Sequence, residues 1–213
     1  MKIARRNFLL GSALAALLGH PSSLFAAAGD EAALRPQIFM FRGLFGIFSL
    51  GIDTLAGRLR ERGYQPVILG WEQWSLAANQ IVAGHRRGDT GHIILIGHSL
   101  GSDSTIQLAS NLGPQQIPID LIVTFDITQP LQVPANVEHL INFYQSNGVG
   151  RPAIAGPGFQ GQLDNVDLSN DHSLDHLNID KSEKLQLLVV NNVFNVTYQK
   201  TQQTAARRRG KVL

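Results

Sequence analysis

A serine held between two glycines, where an apolar run gives way to a helix-like one, constrains this chain more than any other feature. Ile93-Ile94-Leu95-Ile96 has the length and β-branched composition of a buried strand. It leads into Gly97-His98-Ser99-Leu100-Gly101, after which Leu108, Ala109 and Leu112 fall at helical positions and Gly113-Pro114 supplies a stop. A G-x-S-x-G sequence in that setting forms a turn so sharp that the serine backbone is strained. The glycines are needed because side chains there would clash. The Ser99 hydroxyl is then expected to point out over the carboxyl end of a sheet. The amide of Leu100, at the helix start, would face any oxyanion formed beside it. The plainer alternative is a glycine-rich strand-to-helix turn of another α/β protein, such as a phosphate site.

The chain around this turn reads as one α/β domain. Gln37 to Arg42 is an apolar run ending at Gly43, and Ile52, Leu55, Ala56 and Leu59 follow at i, i+3, i+4 and i+7, one face of a helix stopped at Gly63. Pro66 to Leu69 is a second short strand. Trp74, Ala77, Ala78 and Ile81 repeat the helical spacing. Ile119 to Phe125 and Val137 to Tyr144 are further strands. Residues 145–178, rich in Gly, Asn, Asp and Pro, read as a long loop. Asp180 with Glu183 resembles a capping box opening a last helix, with Leu185, Leu188, Val189, Val193 and Val196 inward. Strands of continuous rather than alternating hydrophobicity are buried on both faces. They therefore predict a mostly parallel sheet of five to six strands flanked by helices. No insertion after the fourth strand is long enough for a large cap domain.

In a parallel sheet the site lies beyond the carboxyl ends of the strands. A serine hydroxyl there needs an adjacent base, and the base needs orienting. Three histidines follow Ser99. His139 falls at the wrong end of its strand and is read as structural. His172 and His176 both lie in the loop before the last helix, and His176, directly before Leu177-Asn178-Ile179-Asp180, is the preferred base. Asp126 follows its strand directly and is the preferred orienting acid, with Asp164, Asp167 and Asp171 as distant fallbacks. The second oxyanion donor is expected from the amide of Leu44, in the turn Arg42-Gly43-Leu44-Phe45-Gly46. Gly43 and His98 are the candidate substrate-binding residues. The strained turn sends the His98 ring away from Ser99, into packing. Asp103 reads as a first-turn carboxylate complementing the helix dipole. Trp71 and Trp74 line a cleft or, more simply, join the core. The histidines are scattered and show no metal-ligand spacing, so no metal or cofactor is expected.

These residues resemble the α/β-hydrolase superfamily, and within it the small bacterial lipase and thioesterase-like members. The likeness rests on RGLFG (Arg42 to Gly46), GHSLGS (Gly97 to Ser102), VTFD (Val123 to Asp126) and HLNID (His176 to Asp180). RGLFG is similar to the lipase oxyanion segment, with Arg42 in place of its histidine, and Ser102 replaces a frequent third glycine. The resemblance implies cleavage of carboxylic esters or thioesters through an acyl-enzyme. Ser99 would attack, His176 relay the proton and Asp126 orient it. Acyl transfer to an alcohol, or a non-catalytic binding protein on the same scaffold, are the competing readings.

The start of the chain bears on location. Lys2, Arg5 and Arg6 precede a short apolar run, and Ala26-Ala27-Ala28 offers a small-residue cleavage site. Arg5-Arg6-Asn7-Phe8-Leu9 resembles a twin-arginine export signal, so residues 1–28 are expected to be a signal peptide engaging export machinery. The expected location is periplasmic or secreted, with no stable membrane span after processing. Residues 29–200 then form the hydrolase domain and residues 201–213 a frayed basic tail. The formal charge of +2 includes three cations and no anions from residues 1–28. Without them it is −1, and nothing supports a nucleic-acid partner. The absence of cysteine excludes disulfides and thiolate chemistry. The expected partner is a small-molecule or lipid ester substrate.

Overall fold

The computed structural model describes residues 35–44, 46, 49–89 and 91–210; the signal-like residues 1–28 lie outside them. Six parallel strands form the sheet: β1 (Gln37–Arg42), β2 (Val67–Gly70), β3 (Ile93–His98), β4 (Leu121–Phe125), β6 (His139–Tyr144) and β8 (Gln162–Asp167). Their order is β2-β1-β3-β4-β6-β8. Two-residue strands β5 (Gln132–Val133) and β7 (Ile154–Ala155) pair with each other beside it. Four helices flank the sheet: α1 (Leu50–Glu61), α2 (Trp74–Arg86), α3 (Leu100–Leu112) and α4 (Glu183–Gly210). The α/β class and the mostly parallel sheet match the sequence expectation. Among the described residues no cap domain covers the carboxyl edge, and no helix is long and apolar enough to cross a membrane.

Strand alternation builds two cores. In β1, Phe39 and Phe41 face α2 and α3 with Leu95, Ile106, Leu108 and Ile122. Ile38 and Met40 face α1 and α4 with Ile94, Ile96, Leu121 and Val123. All four β1 side chains are buried, as strands covered on both faces require. The amphipathic stripe Ile52, Leu55, Ala56, Leu59 of α1 is fully buried, and Gly63 ends the turn at φ +86°.

The C-terminal half departs from the sequence reading in three places. The expected loop 145–178 contains β8, the sixth strand, whose sequence QLDNVD lacks the apolar continuity of the others because it is a half-exposed edge. Polar side chains seat it instead: Asn142 Nδ2 donates to Asn165 Oδ1 at 3.0 Å, and His139 Nε2 meets Asp164 Oδ2 at 2.7 Å. That contact makes His139 structural, as expected. Asp180 does not cap α4; it lies in a single 3-10 turn, Ile179–Lys181, and the helix begins two residues later at Glu183. Leu188 is exposed, and Val190 takes its place in the core beside Leu185, Val189 and Val193. The helix then continues to Gly210, into the stretch read from sequence as a frayed tail.

Candidate active site

β1 and β3 are neighbours whose connections leave in opposite directions along the sheet, so the crevice at their carboxyl ends is the topological switch point. Gly43 follows β1 and Ser99 follows β3 at that crevice. Ser99 has φ 57°, ψ −128°, a conformation that costs a side-chain-bearing residue about 1–3 kcal/mol and persists only under tight constraint. The constraint is visible. A Cβ on Gly97 would fall on the Gly101 carbonyl, and one on Gly101 would fall on the Phe41 carbonyl of β1. A Cβ on Gly43 would come within 2.8 Å of Ser99 Cβ. Ser99 N donates to Phe125 O at 2.9 Å, which fixes the turn to the end of β4.

Three side chains far apart in sequence meet over this edge. His176 Nε2 lies 3.0 Å from Ser99 Oγ, and His176 Nδ1 lies 3.0 Å from Asp126 Oδ2. Asp126 is wholly buried, whereas the His176 side chain is about a quarter exposed. The carboxylate accepts only, so His176 carries a proton on Nδ1 and offers the Nε2 lone pair to the Ser99 hydroxyl. Asp126 is itself clamped. Its Oδ1 accepts from Gln145 N at 3.0 Å, its own amide donates to Phe143 O at 2.8 Å, and its backbone is left-handed at φ 55°. A serine hydroxyl, an imidazole and a carboxylate at these distances have the geometry that acyl transfer through a serine requires.

The remaining candidates divide. His172 is exposed in the loop and takes no part in the cluster. Asp164 is held by His139, Asp167 accepts from the Ser146 and Ser169 amides, and Asp171 accepts from Ser173. Leu100 is the first residue of α3, so its amide is one of the donors a helix start leaves unpaired within the helix. Leu44 sits in a turn closed by Gly46 N to Gly43 O at 3.1 Å. The Gly43 amide is committed to Ser49 Oγ at 2.8 Å, so within that turn Leu44 is the oxyanion candidate.

His98, read from sequence as a substrate-binding candidate, is buried beneath the site. It is 1% exposed, with Nδ1 2.7 Å from Ser49 Oγ and Nε2 2.8 Å from the His176 carbonyl. Burial lowers its pKa to about 4, so it is neutral at pH 7. Its ring lies behind that of His176, with centroids 5.1 Å apart. Asp103 does more than face a dipole. It accepts from Thr128 N at 2.9 Å and from the Thr128 hydroxyl, pinning the loop that leaves Asp126, and burial raises its pKa. Trp74 packs against the core, whereas Trp71 is exposed at the end of β2 and its carbonyl accepts from Ser104 Oγ at 2.6 Å.

Sequence reasoning missed Ser49, Gln145 and Gly150. Ser49 is the N-cap residue of α1, yet its side chain makes no cap bond and turns to His98. Gln145 acts through its backbone amide, and Gly150 through the absence of a side chain beside Asp126. Neither leaves a mark in a single sequence. No protein-family model matches the chain, and no curated protein or solved structure matches it either.

Proposed function

We propose that this protein is a serine hydrolase that cleaves carboxylic esters through an acyl-enzyme, a member of the α/β-hydrolase superfamily in the lipase and esterase manner. The observation that carries the reading is the Ser99–His176–Asp126 chain, two contacts of 3.0 Å made at the carboxyl edge of a parallel sheet. In the reaction, Ser99 Oγ attacks the ester carbonyl as His176 Nε2 takes its proton. Asp126 stabilises the imidazolium, and the amides of Leu100 and Leu44 receive the charge that develops on the carbonyl oxygen. His176 then returns the proton to the leaving alkoxide. Water, deprotonated by the same imidazole, releases the acid and regenerates Ser99.

Leu44, next to the Gly43 that packs on Ser99, and Leu177, next to His176, are exposed apolar side chains. They favour an ester with an apolar acyl group. The same triad serves a thioesterase or an acyltransferase, in which thiolate leaves or an alcohol replaces water. The reading includes export to the periplasm or beyond, on the strength of the twin-arginine-like start, and that location disfavours coenzyme A thioesters. The test is hydrolysis of nitrophenyl esters of graded acyl length by wild type and Ser99→Ala. The reading expects turnover with the wild type and none above background with the variant. Equal rates in the two proteins would remove Ser99 from the chemistry.

A further inference from the structure

Ser49 is wholly buried at the middle of a hydrogen-bonded chain that joins the segments carrying the site. Gly43 N donates to Ser49 Oγ at 2.8 Å, Ser49 Oγ lies 2.7 Å from His98 Nδ1, and His98 Nε2 lies 2.8 Å from the His176 carbonyl. The two ends fix the direction of every bond, because a backbone N–H only donates and a carbonyl only accepts. His98 therefore carries its proton on Nε2 and donates it to His176 O. Its Nδ1 accepts the Ser49 hydroxyl proton, while a Ser49 lone pair takes the Gly43 N–H. One neutral tautomer satisfies all four groups.

We infer that Ser49 and His98 are positioning residues that lock the Gly43 turn and the His176 backbone to the same rigid turn that holds Ser99. The inference rests on the serine-hydrolase reading above. The His176 loop belongs to neither helix nor strand; short-range bonds such as Leu177 N to Asp175 Oδ1 at 2.8 Å shape it, and Gln145 Nε2 donates to Leu174 O at 2.8 Å. The bond from His98 ties that loop to the end of β3, one residue from the nucleophile. Gly43, at the other end of the chain, sits against Ser99 Cβ. Base, nucleophile and oxyanion turn thus share one frame. Loss of the Ser49 hydroxyl leaves the Gly43 amide and His98 Nδ1 without these partners. The imidazole is then free to switch tautomer, which would set its Nε2 lone pair against the His176 carbonyl and push the base loop away.

The test is kcat per active site, with the sites counted by fluorophosphonate titration and turnover measured on nitrophenyl butyrate. Ser49→Ala is expected to lower kcat per site about 10- to 100-fold with KM within about threefold, since geometry rather than binding is lost. Ser49→Thr, which keeps the hydroxyl, is expected to recover most of the rate. A Ser49 that merely supports the fold would lower the melting temperature or the titratable fraction and leave kcat per site alone. Nitrogen-15 NMR of the wild type gives an independent reading, with His98 at pH 7 expected as the neutral tautomer protonated on Nε2. A Ser49→Ala enzyme within about twofold of wild type per site, or a His98 protonated on Nδ1, would overturn the relay while leaving Ser99 chemistry intact. A wild type with no Ser99-dependent turnover would overturn both. Should Ser49→Ala fail to fold, the tautomer of His98 decides.

Discussion

Gly150 packs against Asp126, and on the proposed serine-hydrolase reading its replacement with alanine should abolish most of the turnover. A Cβ built there would lie 2.2 Å from Asp126 Oδ1, 2.8 Å from Gln145 N and 3.0 Å from Tyr144 Cβ. Real Cβ atoms essentially never come within 3.0 Å of such neighbours, so either the carboxylate or the loop must move by about 1 Å. Asp126 Oδ1 is the oxygen held by Gln145 N, and the same carboxylate carries the 3.0 Å contact to His176. A shift of that size in an orienting group costs on the order of 100-fold in rate, or about 2.7 kcal/mol of transition-state stabilisation. The assay is kcat per titrated active site on a nitrophenyl ester, with circular dichroism to show that the variant is folded. Gly148→Ala is the control, because its Cβ would meet Gln145 only at ordinary separations of 3.7 and 3.9 Å. It should stay within about twofold of wild type. A folded Gly150→Ala enzyme that also stays within about threefold would refute the claim that the Asp126 carboxylate must sit where it does.

Three further outcomes are expected. Asp126→Asn should keep the fold but lower kcat by about four orders of magnitude, because an amide in this place favours the wrong imidazole tautomer; a loss below about tenfold would remove Asp126 from the triad. Gly101→Ala, whose Cβ would fall on the Phe41 carbonyl, should cost about 3 kcal/mol or more and is read by urea unfolding. A near-neutral result there would contradict the packing of the serine turn against β1. Asp180 is buried, neither of its oxygens has a hydrogen-bond partner of good geometry, and desolvation lifts its pKa from 3.8 to about 6. The amides of Gly51 and Ile52 and the charge of Lys181 oppose that rise without cancelling it. A carboxyl whose folded pKa is raised favours the folded state most below about pH 4, and that contribution is lost as pH rises through 6. Asp180→Asn, neutral at every pH, should therefore gain roughly 1–3 kcal/mol over wild type at pH 8 and nothing at pH 4, as measured by urea unfolding. Equal shifts at the two pH values would refute the assignment.

How much of this was legible in the sequence follows from where the information resides. Continuous apolar runs located β1, β3, β4 and β6, because strands buried on both faces must be apolar throughout. The glycine spacing around Ser99 announced a strained turn because no other residue fits it. Asp126 and His176 followed from position alone, each placed directly after a strand or before the last helix. β8 was hidden because an edge strand seated by Asn165 and Asp164 has no apolar signature. The role of Asp103 was hidden because Thr128, its partner, is 25 residues away. His98 was legible as a packing residue, but its bonds to Ser49 and to the His176 backbone depend on three segments that meet only in the folded chain.

The most direct measurement of the central claim is mass spectrometric mapping of the site modified by a fluorophosphonate, in wild type and in His176→Ala. Convergence of the triad predicts one adduct, on Ser99, and a labelling rate that falls by about a thousandfold or more when the base is removed. An adduct elsewhere, or an unchanged rate in His176→Ala, would contradict it.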